Sequence, residues 1–170
     1  MTATFASRLV ALCVLAGATI APLAASGQSG GNLLPPASTD APLQGRGGWT
    51  KQLIDARLPG VEETAWIAKV KERGQIYFEA DTSLSGVLKL RRPDLRFCKR
   101  IKGSITLEGN GPRAGISEGS SNVVQLGAGK NQGFTLALAE VDSPLFLMIQ
   151  VAGLGKIWGT IDSLSAEGCN

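Results

Sequence analysis

Apolar and polar residues alternate with a period of two along most of the chain, which is the pattern of strands with one buried face. Dipeptides such as Arg73-Gly74 and Pro93-Asp94 interrupt the alternation and predict turns. The predicted strands occupy residues 65–71, 75–80, 84–91, 95–108, 122–126, 134–141, 145–154 and 156–163. About eight short strands separated by turn signals predict an all-β fold, either an antiparallel sandwich or a small barrel.

The alternation also predicts which side chains face the core. The expected inward positions of the first strands are Trp66, Ala68, Val70, Ile76, Phe78, Ala80, Leu84, Leu88, Leu90, Leu95, Phe97, Ile101, Ile105 and Leu107. Tyr77 and Glu79 fall on the opposite side of their strand. Residues 145–154 are almost continuously apolar, which predicts a central strand buried on both faces. Residues 111–121 and the glycine-rich residues 127–133 are predicted to be loops.

The first 26 residues have the order of a secretory signal peptide. Arg8 precedes an apolar run that ends at Pro22, and small residues follow at the expected cleavage site. The run is shorter than the roughly 20 residues that cross a bilayer. We therefore expect a secreted or periplasmic protein with no transmembrane segment in the mature chain.

The next residues differ in composition from the strand region. Residues 27–60 predict a flexible arm, since Gly, Pro, Ser and Gln dominate its first part and no apolar period is present. Within it, residues 49–58 allow a short helix with Thr50 as its N-cap, which the Pro59-Gly60 dipeptide would end. Residues 61–170 then form a single all-β domain.

The amino-acid composition excludes several kinds of catalytic and metal site. The chain of 170 residues contains no histidine, which excludes Ser-His-Asp and Cys-His catalysis and every metal site that needs imidazole. No metal or cofactor is expected. The formal net charge is +3, and removal of Arg8 with the leader leaves the chain barely basic, so net charge does not favour nucleic acid as a partner.

Two cysteines, Cys98 and Cys169, remain after the leader. In an oxidising compartment they are expected to form a disulfide that fixes the C-terminus to the middle of the domain. A redox or metal pair is the alternative, but it favours C-x-x-C spacing, which these cysteines lack.

Positive charge concentrates in one short segment. Its basic residues, opposed only by Asp94, are Lys89, Arg91, Arg92, Arg96, Lys99, Arg100 and Lys102. If the strands on either side of Pro93-Asp94 form a hairpin, most of these side chains project from one sheet face, where acids, solvent or a ligand must offset their repulsion. We predict a site for an anionic lipid, an anionic polysaccharide or an acidic protein at Lys89, Arg91, Arg92, Arg96, Arg100 and Lys102. A solvated face that discourages edge aggregation is the alternative.

Other motifs carry less information. Residues 115–119 match G-x-S-x-G, but the chain has no histidine to activate Ser117. Residues 127–133 resemble a phosphate loop without its required spacing, and a hairpin loop is the better interpretation. The acids that could supply a glycosidase pair are Glu62, Glu63, Glu140, Asp142 and Asp162, and sequence alone cannot place any two of them together.

These observations favour an exported, non-enzymatic binding or structural module of the cell envelope or extracellular space. One alternative is a small β-barrel that carries an apolar ligand in its mouth. Another is a carboxylate-dependent hydrolase. The sequence does not predict the oligomeric state.

Overall fold

The computed structural model describes residues 31–53, 66–80, 85–92, 95, 97–119, 122–138 and 145–169. A short 3₁₀ turn spans Arg46–Gly48. The strands are β1 (Ala41–Pro42), β2 (Trp49–Leu53), β3 (Trp66–Val70), β4 (Ile76–Ala80), β5 (Ser85–Arg92), β6 (Arg100–Gly109), β7 (Arg113–Ser117), β8 (Val123–Leu126), β9 (Gly129–Ala137), β10 (Leu145–Ala152) and β11 (Ile157–Glu167). The predicted signal peptide, residues 1–26, lies outside the described residues.

The strands form two antiparallel sheets. One has six strands in the order β1-β3-β4-β11-β6-β9, and the other has five in the order β2-β5-β10-β7-β8. The sheets pack face to face around one apolar core, which confirms the predicted all-β sandwich. Because the two sheets are separate hydrogen-bonded sets, the barrel alternative is wrong for the described chain.

The predicted inward side chains form most of the core. Trp66, Val70, Ile76 and Phe78 are buried, and the Trp66 and Phe78 ring centroids lie 5.8 Å apart. The alternation predicts that Phe97 faces the core, but this prediction is wrong, because the side chain is 51% exposed. It precedes β6, in the segment that crosses between the sheets, so the strand period does not apply to it.

The described part of the predicted flexible arm packs on the sandwich. Leu33 and Leu43 are buried, and the Trp49 indole donates a hydrogen bond to the Leu33 carbonyl at 2.8 Å. The arm prediction and its boundary at residue 61 are therefore wrong for residues 31–48, because a few well-placed leucines anchor a segment of otherwise disorder-prone composition. The helix prediction is also wrong for residues 49–53, which form β2 against β5. Sheet pairing overrides the weak helical preference there.

Two further strand predictions need correction. The expected loop at 111–121 contains β7, whose glycine and short side chains weaken the strand signal. The expected hairpin loop at 127–133 is wrong, because β9 already begins at Gly129 and lies in the other sheet from β8. Both errors involve glycine inside a strand. Glycine has a low strand propensity, and pairing with neighbouring strands stabilises the extended backbone there.

The strand β10 occupies the predicted central position, but only one of its faces is buried. Leu147, Ile149 and Val151 point into the core. Phe146 is half-buried and Gln150 is exposed on the outer side. The almost continuous apolar run therefore includes side chains that lie on an outer face of the protein.

The predicted disulfide is present. Cys98 and Cys169 are joined with an S–S distance of 2.01 Å. Cys98 lies two residues before the start of β6 and Cys169 two residues after the end of β11, and these strands are neighbours in the six-stranded sheet. The bridge therefore joins the two strands at their shared end.

Candidate functional site

The structure divides the predicted basic cluster between two sheets. Its β5 residues, Lys89 and Arg91, point outward from the five-stranded sheet, whereas Arg100 and Lys102 on β6 point outward from the six-stranded sheet. The conditional hairpin is not formed, because β5 pairs with β2 and β10 while β6 pairs with β9 and β11. The other two predicted positions, Arg96 and the side chain of Arg92, lie outside the described residues.

Arg100 and Lys102 share an acidic neighbour on β11. The Arg100 Nε donates to Glu167 Oε2 at 2.6 Å, and the Lys102 Nζ lies 3.2 Å from Glu167 Oε1. The hydrogen bond from Arg100, and then that from Lys102, lower the pKa of Glu167 below its ordinary value. One carboxylate therefore offsets one of the two positive charges.

Lys89 and Arg91 instead contact an aromatic ring. The Lys89 Nζ lies 4.2 Å from the Phe146 ring centroid, and the Arg91 guanidinium carbon lies 5.8 Å from it. Phe146 is the cross-strand partner of Arg91. We call the outward side of the five-stranded sheet the Phe146 face; its side chains include Thr50, Gln52, Val87, Lys89, Arg91, Phe146, Met148, Gln150, Ser117 and Gln125. None of its described side chains is a carboxylate.

The outward side of the six-stranded sheet has a different composition. We call it the Trp158 face; its side chains include Lys69, Tyr77, Glu79, Ser104, Thr106, Glu108, Trp158, Thr160 and Asp162. Trp158 on β11 is half-buried and lies between Glu79 of β4 and Glu108 of β6 in the register. Acidic side chains therefore flank the half-buried indole on both neighbouring strands.

The Trp158 ring is held by a hydrogen bond to one of these acids. Its Nε1 donates to Glu108 Oε2 at 2.8 Å, and the Lys130 Nζ lies 3.3 Å from Glu108 Oε1. The hydrogen bond from Trp158 is the main cause of the lowered Glu108 pKa, with Lys130 second. Glu108 is therefore an ionised acceptor with a fixed orientation at neutral pH.

Tyr77 repeats this arrangement on the neighbouring strand. Its hydroxyl donates to the carboxylate of Glu79, two residues further along β4. Burial, followed by the hydrogen bond to Glu79, raises the pKa of Tyr77 to about 12. The Lys71 Nζ lies 4.9 Å from the ring centroid and also binds Asp40 at 2.5 Å. A surface cleft of about 330 Å³ lies beside it, lined by Thr39, Asp40, Lys71, Glu72, Arg73 and Gln75.

Hydroxyl and amide groups continue the face along β6 and β11. The Thr106 hydroxyl donates to Asp162 Oδ2 at 2.8 Å and accepts from the Asn131 backbone N–H at 3.0 Å. Gly159 keeps this stretch of β11 close to its neighbours, since a Cβ there would lie 2.5 Å from the Phe78 ring. The arrangement offers two aromatic rings and several pre-oriented acceptors, which is suited to binding a polar ligand with apolar patches.

Sequence reasoning did not select the Trp158 face, although its signal was present. The alternation placed Tyr77 and Glu79 opposite the core, and the inward positions Ile157 and Gly159 put Trp158 outward in the same way. The dense basic segment gives the stronger signal in the sequence. Of the five acids considered for catalysis, Asp162 lies on the Trp158 face; Glu62, Glu63, Glu140 and Asp142 lie outside the described residues.

The described residues contain neither a cluster of metal-ligating side chains nor a membrane-spanning helix. No group of three or more His, Cys, Asp or Glu side chains there could hold a metal ion. In the same part of the chain, no helix has the length and apolar character needed to cross a membrane.

Comparison with known proteins identifies relatives in fold. The chain matches no protein-family model and no curated protein sequence. A variant of a family 29 carbohydrate-binding module in complex with mannohexaose is 12% identical, with a TM-score of 0.52 over 82% of this chain and 92% of that chain. A second structure of a family 29 module is 11% identical, with a TM-score of 0.50 over 82% and 89%. At this identity the likeness shows a shared β-sandwich fold.

Proposed function

We propose that the protein is an exported, non-enzymatic binding module that holds a neutral polysaccharide on the Trp158 face. The observation that carries this proposal is the half-buried Trp158 ring on the same face as Tyr77, with a carboxylate hydrogen-bonded to the indole of one and the hydroxyl of the other. The sandwich fold shared with carbohydrate-binding modules, one of them in complex with mannohexaose, gives independent support.

The chemistry of the face matches that of a sugar. A pyranose ring has an apolar C–H surface, which packs on an aromatic ring, and a rim of hydroxyl groups, which need hydrogen-bond partners. Trp158 and Tyr77 offer the aromatic surfaces. Glu108, Glu79 and Asp162 offer acceptors, and ionised acceptors form the stronger hydrogen bonds. Because each is already oriented by a donor, ligand binding orders few side chains.

The charge of the Trp158 face favours a neutral chain. Glu79, Glu108 and Asp162 lie beside the aromatic rings, while Lys71 and Lys130 are paired with Asp40 and Glu108, so a uronate or sulfate group at the rings would meet carboxylates rather than an excess of positive charge. The sheet has six strands about 4.8 Å apart, which leaves room for several sugar units across it. A neutral linear polysaccharide therefore fits the face better than an acidic one.

The hydrolase alternative has less support. A general acid works best with a pKa raised towards the operating pH, whereas the pKa of Glu108 is lowered. Asp162 is occupied by the Thr106 hydroxyl. Both carboxylates lie on the outer surface of a sheet, where water has access.

Export is part of the proposal. The signal-like residues 1–26 and the Cys98–Cys169 disulfide both favour a secreted or periplasmic location. Mass spectrometry of native protein is expected to find a chain that begins between residues 25 and 27, with the disulfide intact. A native chain that retains residue 1 and carries reduced cysteines would contradict export.

Binding is tested by calorimetric titration of the full chain with mannohexaose and other neutral hexaoses. Trp158→Ala is expected to weaken binding by about tenfold or more, because the central aromatic surface is lost. Phe146→Ala is the matched control, since it removes a half-buried ring from the opposite face and should leave the affinity unchanged. Release of reducing ends during incubation would favour the hydrolase alternative.

Intrinsic fluorescence gives a second readout at the same residue. The chain has three tryptophans, and Trp49 and Trp66 are 0% and 1% exposed. Trp158 is therefore the tryptophan whose emission a sugar can shift and whose quenching by acrylamide it can reduce. If the neutral hexaoses produce neither heat nor a Trp158 signal, and insoluble polysaccharides do not retain the protein, the proposal is wrong.

A further inference from the structure

The Phe146 face carries positive charge, and none of its side chains in the described part of the chain is acidic. Lys89 and Arg91 are successive outward residues of β5, so their backbones are only about 7 Å apart. Both lie against the Phe146 ring, whose π face attracts cations and offsets part of their mutual repulsion. No ion pair joins either of them to a described carboxylate. We infer that Lys89, Arg91 and Phe146 form a second binding site, for an acidic polysaccharide, on the side of the sandwich opposite Trp158.

The other half of the basic segment shows why these two cations stand apart. Arg100 and Lys102 also lie two residues apart on one strand, but both bind Glu167. The single carboxylate of Glu167 offsets one of their two positive charges within the fold. Among the described residues, Lys89 and Arg91 contact the neutral Phe146 ring and form no ion pair, and Arg91 is exposed. The positive potential on the Phe146 face is therefore open to a ligand.

The neighbouring side chains suit a polysaccharide. Thr50, Lys89, Met148 and Ser117 form one row across the sheet, and Gln52, Val87, Gln150 and Gln125 belong to the next row. Arginine matches the geometry of a carboxylate or sulfate with two parallel hydrogen bonds, and lysine adds a point charge. The amides and hydroxyls then serve the sugar hydroxyl groups.

The position of these side chains in the sheet favours a linear polysaccharide over an anionic membrane. Lys89, Arg91 and Phe146 project from the middle strands of a sheet, and a linear polymer can lie across such a surface. Val123, an exposed apolar side chain of this face, lies on the edge strand β8, three strands from Lys89, so a bilayer that contacted it would not be centred on the two cations. The observations therefore favour a linear acidic polysaccharide, with carboxylate or sulfate groups, over lipid headgroups.

The test measures binding of the full chain to polygalacturonate and to dextran sulfate, with uncharged dextran as the reference polymer. Lys89→Gln with Arg91→Gln is expected to weaken binding by about tenfold or more. Arg100→Gln with Lys102→Gln is the matched control, because it removes the same charge from the opposite face and should change the affinity less than about twofold. Binding by the wild-type chain should also weaken as salt is added.

Several outcomes would overturn this inference. Equal losses for the two double variants would mean that net charge, rather than the Phe146 face, attracts the polymer. Tighter binding to vesicles rich in phosphatidylglycerol, lost in the same Lys89→Gln/Arg91→Gln variant, would assign the face to a membrane. Thermal unfolding checks that each variant folds. Unchanged mannohexaose binding by Lys89→Gln/Arg91→Gln would show that the two sites are separate, so failure of one leaves the other standing.

Discussion

The two outward faces of the sandwich differ in the charged groups at their aromatic rings: carboxylates accept from both rings of the Trp158 face, where Lys71 also lies over Tyr77, and cations contact the ring of the Phe146 face. On the Trp158 face, the indole of Trp158 and the hydroxyl of Tyr77 donate to carboxylates. On the Phe146 face, the ring of Phe146 lies against a lysine and an arginine. Both faces come from the same inward-outward alternation, so the fold dictates where a surface lies but not what it binds. The charges beside each ring decide that.

The core makes the two faces independent of each other. Packed sheets lie about 10 Å apart, and sites at that separation without shared partners respond additively to substitution. A substitution that alters one face should therefore leave the other intact as long as the protein folds. The following predictions test this independence, from the largest expected effect to the smallest.

Loss of the disulfide should have the largest effect on stability. Cys98→Ser with Cys169→Ser is expected to lower the free energy of unfolding by roughly 4 kcal/mol, because the bridge closes a loop of 71 residues. Denaturant unfolding of the wild-type and double-variant proteins measures the difference.

Hydrogen exchange would locate the effect of this change. The bridge joins the ends of β6 and β11, so amides of these strands, beneath the Trp158 face, should lose more protection than those of β5 and β10 beneath the Phe146 face. Reduction and reoxidation of the wild-type chain give a reversible control. Uniform loss of protection in both sheets would mean that the two faces are mechanically coupled, which contradicts their independence.

Gly159→Ala should have the next largest effect. The added methyl group meets the Phe78 ring and the Thr106 carbonyl, and overpacking of this kind costs about 1–3 kcal/mol. The shift of β11 should also weaken mannohexaose binding, because Trp158 directly precedes the substitution. Binding of dextran sulfate at the Phe146 face should not change.

Gly127→Ala provides the matched control for this substitution. No atom lies within 4 Å of the position that its Cβ would take, so stability should be almost unaffected. Thermal unfolding and the two binding titrations compare the variants. If Gly159→Ala is as stable as Gly127→Ala, the close packing of β11 on Phe78 does not constrain the Trp158 face.

Much of the fold follows from local pattern, because alternation records burial directly. β3 and β4 match it residue by residue, and the disulfide follows from two cysteines in an exported chain. The segments that escaped prediction depend on distant partners. Leu33 is buried because Trp49 and β11 lie against it, and no local pattern in a Gly- and Pro-rich segment encodes that contact.

The sites were harder to predict than the strands. The basic segment is continuous in sequence, but the chain crosses from one sheet to the other between Arg91 and Arg100, and this crossing separates its charges. The acid that offsets Arg100 is Glu167, far along the chain. Trp158 could be placed outward from its own strand. The acids beside it, Glu79 and Glu108, can be placed there only from the strand order β4-β11-β6.

Tyr77 should titrate well above an ordinary tyrosine. It is the only tyrosine in the chain, so the phenolate absorbance of the protein reports on it alone. We expect a midpoint of about 12 in the folded protein, against the ordinary value of 10.0 after unfolding in urea. Because the pKa is raised on folding, this contribution to stability is present below pH 10.0 and is lost as the pH rises towards about 12.

Glu79→Gln tests the cause of the Tyr77 shift. Removing the carboxylate should lower the midpoint only in part, because burial is the larger cause. Circular dichroism at each pH shows whether the chain is still folded. A folded-state midpoint near 10.0 would mean that water surrounds the Tyr77 hydroxyl and that the Trp158 face is less pre-organised than proposed.

Acid should produce the smallest effect, and only on the Trp158 side. The pKa values of Glu108 and Glu167 are lowered below the ordinary 4.5 by donors on that sheet. A lowered folded-state pKa gives stability that is complete above pH 4.5 and is lost as the pH falls through the folded values. Glu108→Gln keeps an acceptor for the Trp158 indole but removes the charge, so the dependence of unfolding free energy on pH below 4.5 should become shallower.

Dextran sulfate binding should persist at the same pH, since the described Phe146 face has no carboxylate to protonate. Equal acid sensitivity of the two binding activities would contradict the assignment of opposite charge to the two faces.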